Sequence, residues 1–107
     1  MEVHRQLGIG FRESVYKDAL EIEFLQSSIP FKKEAPFRIE YKGHLLRRQF
    51  YADFVVYGCI ILEIKSATCI VESFIAQTLN YLKTSGLQLG IIVNFGERSL
   101  TYKRVLL

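Results

Sequence analysis

Residues 51–66, YADFVVYGCIILEIKS, set two apolar runs on either side of a single glycine, Gly58. Runs rich in β-branched and aromatic residues, split by a glycine turn, predict a β-hairpin. Three charges stand at the end away from that turn: Asp53 in the first run, Glu63 and Lys65 in the second. Successive side chains of a strand alternate between faces, so Ile61, Glu63 and Lys65 share one face and Ile60, Leu62 and Ile64 the other. The length of the turn decides whether Asp53 joins them. A two-residue loop, Tyr57-Gly58, pairs Asp53 with Leu62 and separates the acids. A three-residue loop with Gly58 in the left-handed conformation shifts the pairing by one and sets Asp53 on the face of Ile61 and Glu63.

Two carboxylates on one face repel each other unless a cation lies between them, and an oxygen-rich pair suits magnesium or manganese. Lys65 then stands where an ammonium can orient a metal-bound water or neutralise charge building on a phosphate. Strand ends also carry ordinary solvated charges, in which case Glu63 and Lys65 are an exposed ion pair and Asp53 a surface acid. Spacing alone leaves both readings open.

Outward from the hairpin, residues 31–41 mix alternating residues with Pro36, which suits an edge strand because proline cannot donate to the ladder. Lys42-Gly43 reads as a turn, and Leu45–Tyr57 and Cys59–Lys65 complete a three-stranded antiparallel meander. Upstream, Phe11, Val15, Ala19, Ile22 and Leu25 recur at three- and four-residue steps, predicting a helix from about Phe11 to Ser27 with those side chains on its buried stripe. Gly8 and Gly10 set Met1–Leu7 apart as a short helical piece, and Pro30 marks the exit. Downstream, Glu72–Thr84 carries Ile75, Thr78, Leu79 and Leu82 on one helical face and stops at Gly86. Leu89–Asn94 and Ser99–Leu106 read as two last strands. The order is α-β-β-β-α-β-β.

The chain has 107 residues, enough for one domain spanning 1–107 and one core. Half of it is apolar, which argues against disorder. No apolar run reaches the roughly 18 residues that span a bilayer, so no membrane role is expected. MEVHRQLG is too polar for a secretory signal, and Cys59 and Cys69 lack metal-site spacing, which predicts reduced thiols in a cytoplasmic protein. A net charge of +3 is compatible with nucleic acid without requiring it. Arg47, Arg48, Lys32, Lys33, Lys83, Arg98, Lys103 and Arg104 are dispersed in sequence, and a solvated exterior explains most of them. His4 reads as structural or exposed.

The spacing Asp53, nine residues, Glu63-Ile64-Lys65 resembles the PD-(D/E)XK nuclease superfamily, with Ala52 where the name of the superfamily has proline. More closely, Gly10-Phe11-Arg12-Glu13-Ser14-Val15-Tyr16, together with VHRQLGIGF, FYADFVV, LEIKS, AQTLNYLKTSG and LGIIVNFG, resembles the GxxExxY family of small bacterial proteins within it. Relatives there carry a further helical stretch before VHRxLG, so the resemblance implies a truncated first helix. It also implies a restriction-endonuclease-like α/β (α+β) core, a mixed central sheet flanked by helices. Asp53 and Glu63 become the metal ligands, for Mg2+ or Mn2+, with Lys65 catalytic. Glu13 becomes a helix-borne acid approaching the metal, although by itself it reads as a first-turn acid favoured by the helix dipole. Gln77 becomes a polar residue near the site. Tyr81 shares the helix face of Gln77, and packing and function are equally open for it. Gly10 reads as a backbone requirement.

Three functions follow as expectations. The first is a metal-dependent nuclease cleaving DNA or RNA, with Glu13, Asp53, Glu63, Lys65 and Gln77 as its catalytic set. The second is a non-catalytic nucleic-acid- or protein-binding module that keeps the fold. The third is an accessory protein acting through a homodimer surface, for which Phe50, Tyr51 and Tyr57 are the aromatics on offer.

Overall fold

The computed structural model of the chain describes residues 1–107. Helices α1 (Glu2–Leu7) and α2 (Glu13–Gln26) lead into strands β1 (Phe31–Tyr41), β2 (His44–Val56) and β3 (Ile60–Lys65). Helix α3 (Glu72–Ser85) and strands β4 (Leu89–Asn94) and β5 (Thr101–Leu106) complete the chain. The strands form one sheet in the order β1-β2-β3-β4-β5. Only β3 and β4 run parallel, and α3 is the crossover that parallel neighbours require. Pro36 lies on β1, an edge strand as expected. No helix is long and apolar enough to cross a membrane.

Both turns follow from their residues. Val56 pairs with Ile60, so Tyr57-Gly58-Cys59 is a three-residue loop, with Tyr57 at φ 55° and Gly58 at φ 69°. That is the odd-length turn that brings Asp53 and Glu63 level. Tyr41 pairs with His44 across Lys42 and Gly43, both at positive φ, as a tight two-residue hairpin needs.

The sheet is covered on both faces. On one face Tyr16 and Leu20 of α2 pack with Phe54, Leu62, Ile64 and Phe95; on the other Leu82 of α3 packs with Ala52, Val55, Ile61 and Ile92. In α3, Thr78 and Leu82 are buried and Ile75 and Leu79 pack beside them, the face read from the sequence. In α2 the expected stripe is corrected. The helix begins at Glu13 and buries Tyr16 and Leu20, with Phe24 and Ala19 packed against them, while Phe11, Ile22 and Leu25 are exposed. The row Tyr16, Leu20, Phe24 won because it presents two aromatic rings to the sheet. Tyr16 can be buried because its hydroxyl donates to the Gly8 carbonyl at 2.6 Å and its ring stacks on Phe95 at 4.5 Å.

The outer hairpin changes face in mid-strand. Lys33 reaches Asp18 and Glu21 on α2, yet Ala35, two residues on, packs toward α3. An unbroken strand would keep both on one side. Glu34, between them, sits at φ 53°, a region a non-glycine residue enters only under constraint. Across the ladder Ala52 faces α3 and Phe54 faces α2, so β2 switches at Asp53. The acid foreseen as a ligand stands at the kink.

Candidate active site

The ladder between β2 and β3 ends at Phe54 and Leu62, and beyond it side chains replace backbone partners. The Asp53 N–H donates to Glu63 Oε2 at 2.8 Å, and the Ile64 N–H donates to Asp53 Oδ2 at 2.7 Å. This reciprocal clamp holds both carboxylates in the widening gap between the strands. Glu63 is only 4% exposed. Burial, and then the neighbouring Asp53 charge, push its carboxyl up to about 7. Asp53 and Glu63 are therefore brought together as the three-residue turn requires.

A cation already stands at the pair. Lys17 Nζ lies 3.1 Å from Asp53 Oδ1 and also bonds Glu34. Burial disfavours its charge, but Glu34 and Asp53 outweigh that and raise its pKa, so the ammonium persists. Sequence reasoning missed Lys17, since a lone lysine on a helix reads as a solvated charge. Its only signal was its place one turn after Glu13 on the same face.

Lys65 and Gln77 form a second pair, with Lys65 Nζ 3.4 Å from Gln77 Oε1 and 4.6 Å from the centre of the Phe74 ring. The amide oxygen and the ring hold the ammonium from two sides. Tyr81 stacks on Phe50 at 3.8 Å with the planes 1° apart. Burial, then the Glu63 and Asp53 charges, raise its phenol pKa, so it stays a neutral donor beside the acids. Tyr81 packs on the α3 side of the sheet, within reach of the field of the two acids.

Glu13 stands apart. It is exposed at the start of α2, lining a shallow opening with Arg12, Ser14 and Ser66, the residue after Lys65. No hydrogen bond or ion pair joins it to Asp53 or Glu63. It is at the rim, not between the acids. Tyr16, three residues on, turns inward, and its hydroxyl also accepts the Phe11 N–H at 3.3 Å. Gly10 supplies φ 108° in the loop so held. His4 bonds the Glu97 carbonyl at 2.8 Å, a structural role.

The segment after Lys65 is fixed from β4. Asn94, fully buried, accepts the Ala67 N–H and donates to the Ala67 carbonyl, both at 2.9 Å. Gly96 lies so close that an added Cβ would fall 2.1 Å from the Ala67 oxygen. Sequence reading passed over both, because an Asn-x-Gly run at a strand end is an ordinary turn signal.

Asp53 and Glu63 each use one oxygen on the backbone clamp, which leaves Glu63 Oε1 for a ligand and Asp53 Oδ1 shared with the Lys17 ammonium. Magnesium and manganese take one or two carboxylates and keep several waters, so the pair fits a hydrated divalent ion. No third His, Cys, Asp or Glu completes a denser cluster.

A family model described as the PD-(D/E)XK nuclease superfamily matches residues 1–105. The crystal structure of SSO0001 aligns with 87% of this chain at a TM-score of 0.69 and 17% identity, a likeness of fold. The chain spans half the length of SSO0001. No curated protein matches.

Proposed function

Because the chain belongs to the PD-(D/E)XK nuclease superfamily, we propose that it is a metal-dependent nuclease with Asp53, Glu63 and Lys65 as its active site. The observation that carries this reading is the Asp53–Glu63 clamp, which keeps two carboxylates together in a buried gap where, once both are ionised, a bound cation relieves their repulsion. A bound Mg2+ or Mn2+ supplies Lewis-acid polarisation of the scissile phosphate and a more acidic water. Asp53 and Glu63 hold that ion. Lys65, braced by Gln77 and Phe74, offers its ammonium to charge growing on the phosphate oxygens. With its oxygen on Lys65, Gln77 has its amide N–H groups free for a phosphate. Glu13, at the rim, orders water in the adjoining opening. Water adds to phosphorus, the P–O ester bond breaks, and the leaving oxygen takes a proton from solvent.

The finer assignment to the GxxExxY family is supported by what its motif does here: Gly10 takes a glycine conformation and Tyr16 pins the loop before α2. The expected setting is the cytoplasm.

One observation favours the non-catalytic alternative. Lys17 already neutralises Asp53, as an internal cation would. Cleavage of DNA and RNA, single- and double-stranded, with Mg2+ and Mn2+ decides between the two. The nuclease reading expects cleavage that Asp53→Ala and Glu63→Ala abolish and Lys65→Ala slows by about 10²–10³-fold. Salt-sensitive binding that needs no metal, without any cleavage, would leave the binding module.

A further inference from the structure

The chain's net charge is concentrated in one element. Between Arg38 and Gln49 stand four basic residues and one acid, while the rest of the chain holds ten of each. The whole +3 therefore belongs to the outer part of the β1–β2 hairpin. Arg38 on β1, Lys42 in the turn and Arg47 and Arg48 on β2 look dispersed in sequence, and antiparallel pairing gathers them. Every residue from 38 to 49 is exposed. None of the four cations is in an ion pair, whereas Arg5, Lys17 and Lys33 all are. Lys83, from the last turn of α3, lines the recess at the base of this arm with Arg38 and Glu40.

An outer ribbon of two strands with no core of its own adds little stability in water. Arg38 spends its guanidinium on the Leu46 carbonyl, at 2.8 and 3.1 Å, bridging the strands beside the register shift at Arg38/Glu40. The arm is thus braced from within. Arg47 and Arg48 fall in the stretch of β2 that bulges opposite Ile39 at this register shift, both exposed. An exposed ribbon that carries unpaired positive charge along its outer length suits a groove with phosphates on either side, and the major groove of B-form DNA, about 12 Å wide, admits a two-stranded ribbon. The deep, narrow major groove of duplex RNA does not.

The arm continues the strand that carries Asp53. Measured on β1, where Glu34 lies level with Asp53 and Tyr41 closes the arm, the Arg38–Gln49 pair and the tip lie about 13 and 23 Å from Asp53 at about 3.3 Å per residue. That is about four to seven base pairs at about 3.4 Å each. Phe37, Phe50 and Tyr81 stack in succession between the base of the arm and the acids, a stiff connection.

We infer that the β1–β2 arm is the DNA-gripping element of this protein, lying in the major groove of duplex DNA to one side of the Asp53–Glu63 site. This rests on the nuclease reading for what the site does, but not for what the arm binds.

The test measures binding to a 20-base-pair DNA duplex, the matching single strand and a duplex RNA by fluorescence anisotropy. Chelator removes metal, and sodium chloride runs from about 50 to 200 mM. Cleavage with Mg2+ is followed separately. Lys42→Ala/Arg47→Ala/Arg48→Ala is compared with Arg98→Ala/Lys103→Ala/Arg104→Ala, which removes equal charge elsewhere. The arm variant is expected to bind duplex DNA at least tenfold more weakly, with a salt slope shallower by about 3. The control is expected to stay within about threefold of wild type, by the same counterion reasoning. Equal losses in both variants, no loss in either, equal affinity for single strand or duplex RNA, or no binding by wild type would overturn the inference. A change of molecular mass in the arm variant by light scattering would overturn it in favour of a protein contact. If the arm proves dispensable while Asp53→Asn abolishes cleavage, the inference fails and the nuclease reading stands. Arm-dependent binding without cleavage by any metal-loaded form gives the reverse.

Discussion

Glu63 shows at the scale of one residue how the site is held. Its carboxyl is neutral in folded and unfolded chains below its ordinary value of 4.5. As pH rises toward 7, the unfolded chain ionises while the buried folded carboxyl keeps its proton, so stability falls across that window and levels off above it. With the carboxyl carried from 4.5 to about 7, the full loss is about 3 kcal/mol. Metal-free wild type should therefore lose stability between pH 4.5 and 7 relative to Glu63→Gln, measured by urea unfolding. A pH-independent difference would contradict this, and Mg2+ should shrink the loss at pH 7 and above. The spacing of Asp53, Glu63 and Lys65 was legible because strand alternation is a strict period of two. Lys17 was not, because its link to Asp53 joins residues far apart in the chain.

At the scale of elements, strands and turns carry most of the legible information. The Lys42-Gly43 turn, the edge position of Pro36 and the three-residue loop around Gly58 all follow from residues with few backbone options. Gly58→Ala forces a Cβ into φ 69° and should cost about 1–2 kcal/mol by thermal unfolding, leaving Mg2+-dependent cleavage at permissive temperature unchanged. An unchanged melting temperature would show that the loop relaxes at no cost. The stripe of α2 was misread because its sequence offers two apolar rows. Choosing between them needs the sheet, which supplies Phe95 for Tyr16 and Phe54 for Phe24. The basic arm was illegible for a related reason: charge counted along the chain does not show which strands lie side by side.

Across the whole molecule, the site depends on the far side of the sheet. Asn94 and Gly96, at the end of β4, grip Ala67 just after Lys65 and so set where α3 begins its return with Gln77 and Tyr81. Gly96→Ala should push the Ala67 backbone away, costing more than about 2 kcal/mol by denaturant titration and lowering cleavage although no site residue changes. Unchanged stability and rate would show that this contact is not what positions α3. The sequence by itself determined the element order and narrowed the hairpin to two registers, one of which pairs Asp53 with Glu63, because these depend on local periodicity and on glycine conformation. Tertiary structure alone decided which stripe of α2 is buried, that Lys17 meets Asp53 while Glu13 stays at the rim, and that four scattered cations form one arm. Those outcomes rest on contacts between distant segments, and such contacts are chosen by competition for the same sheet surface and for the same buried charge.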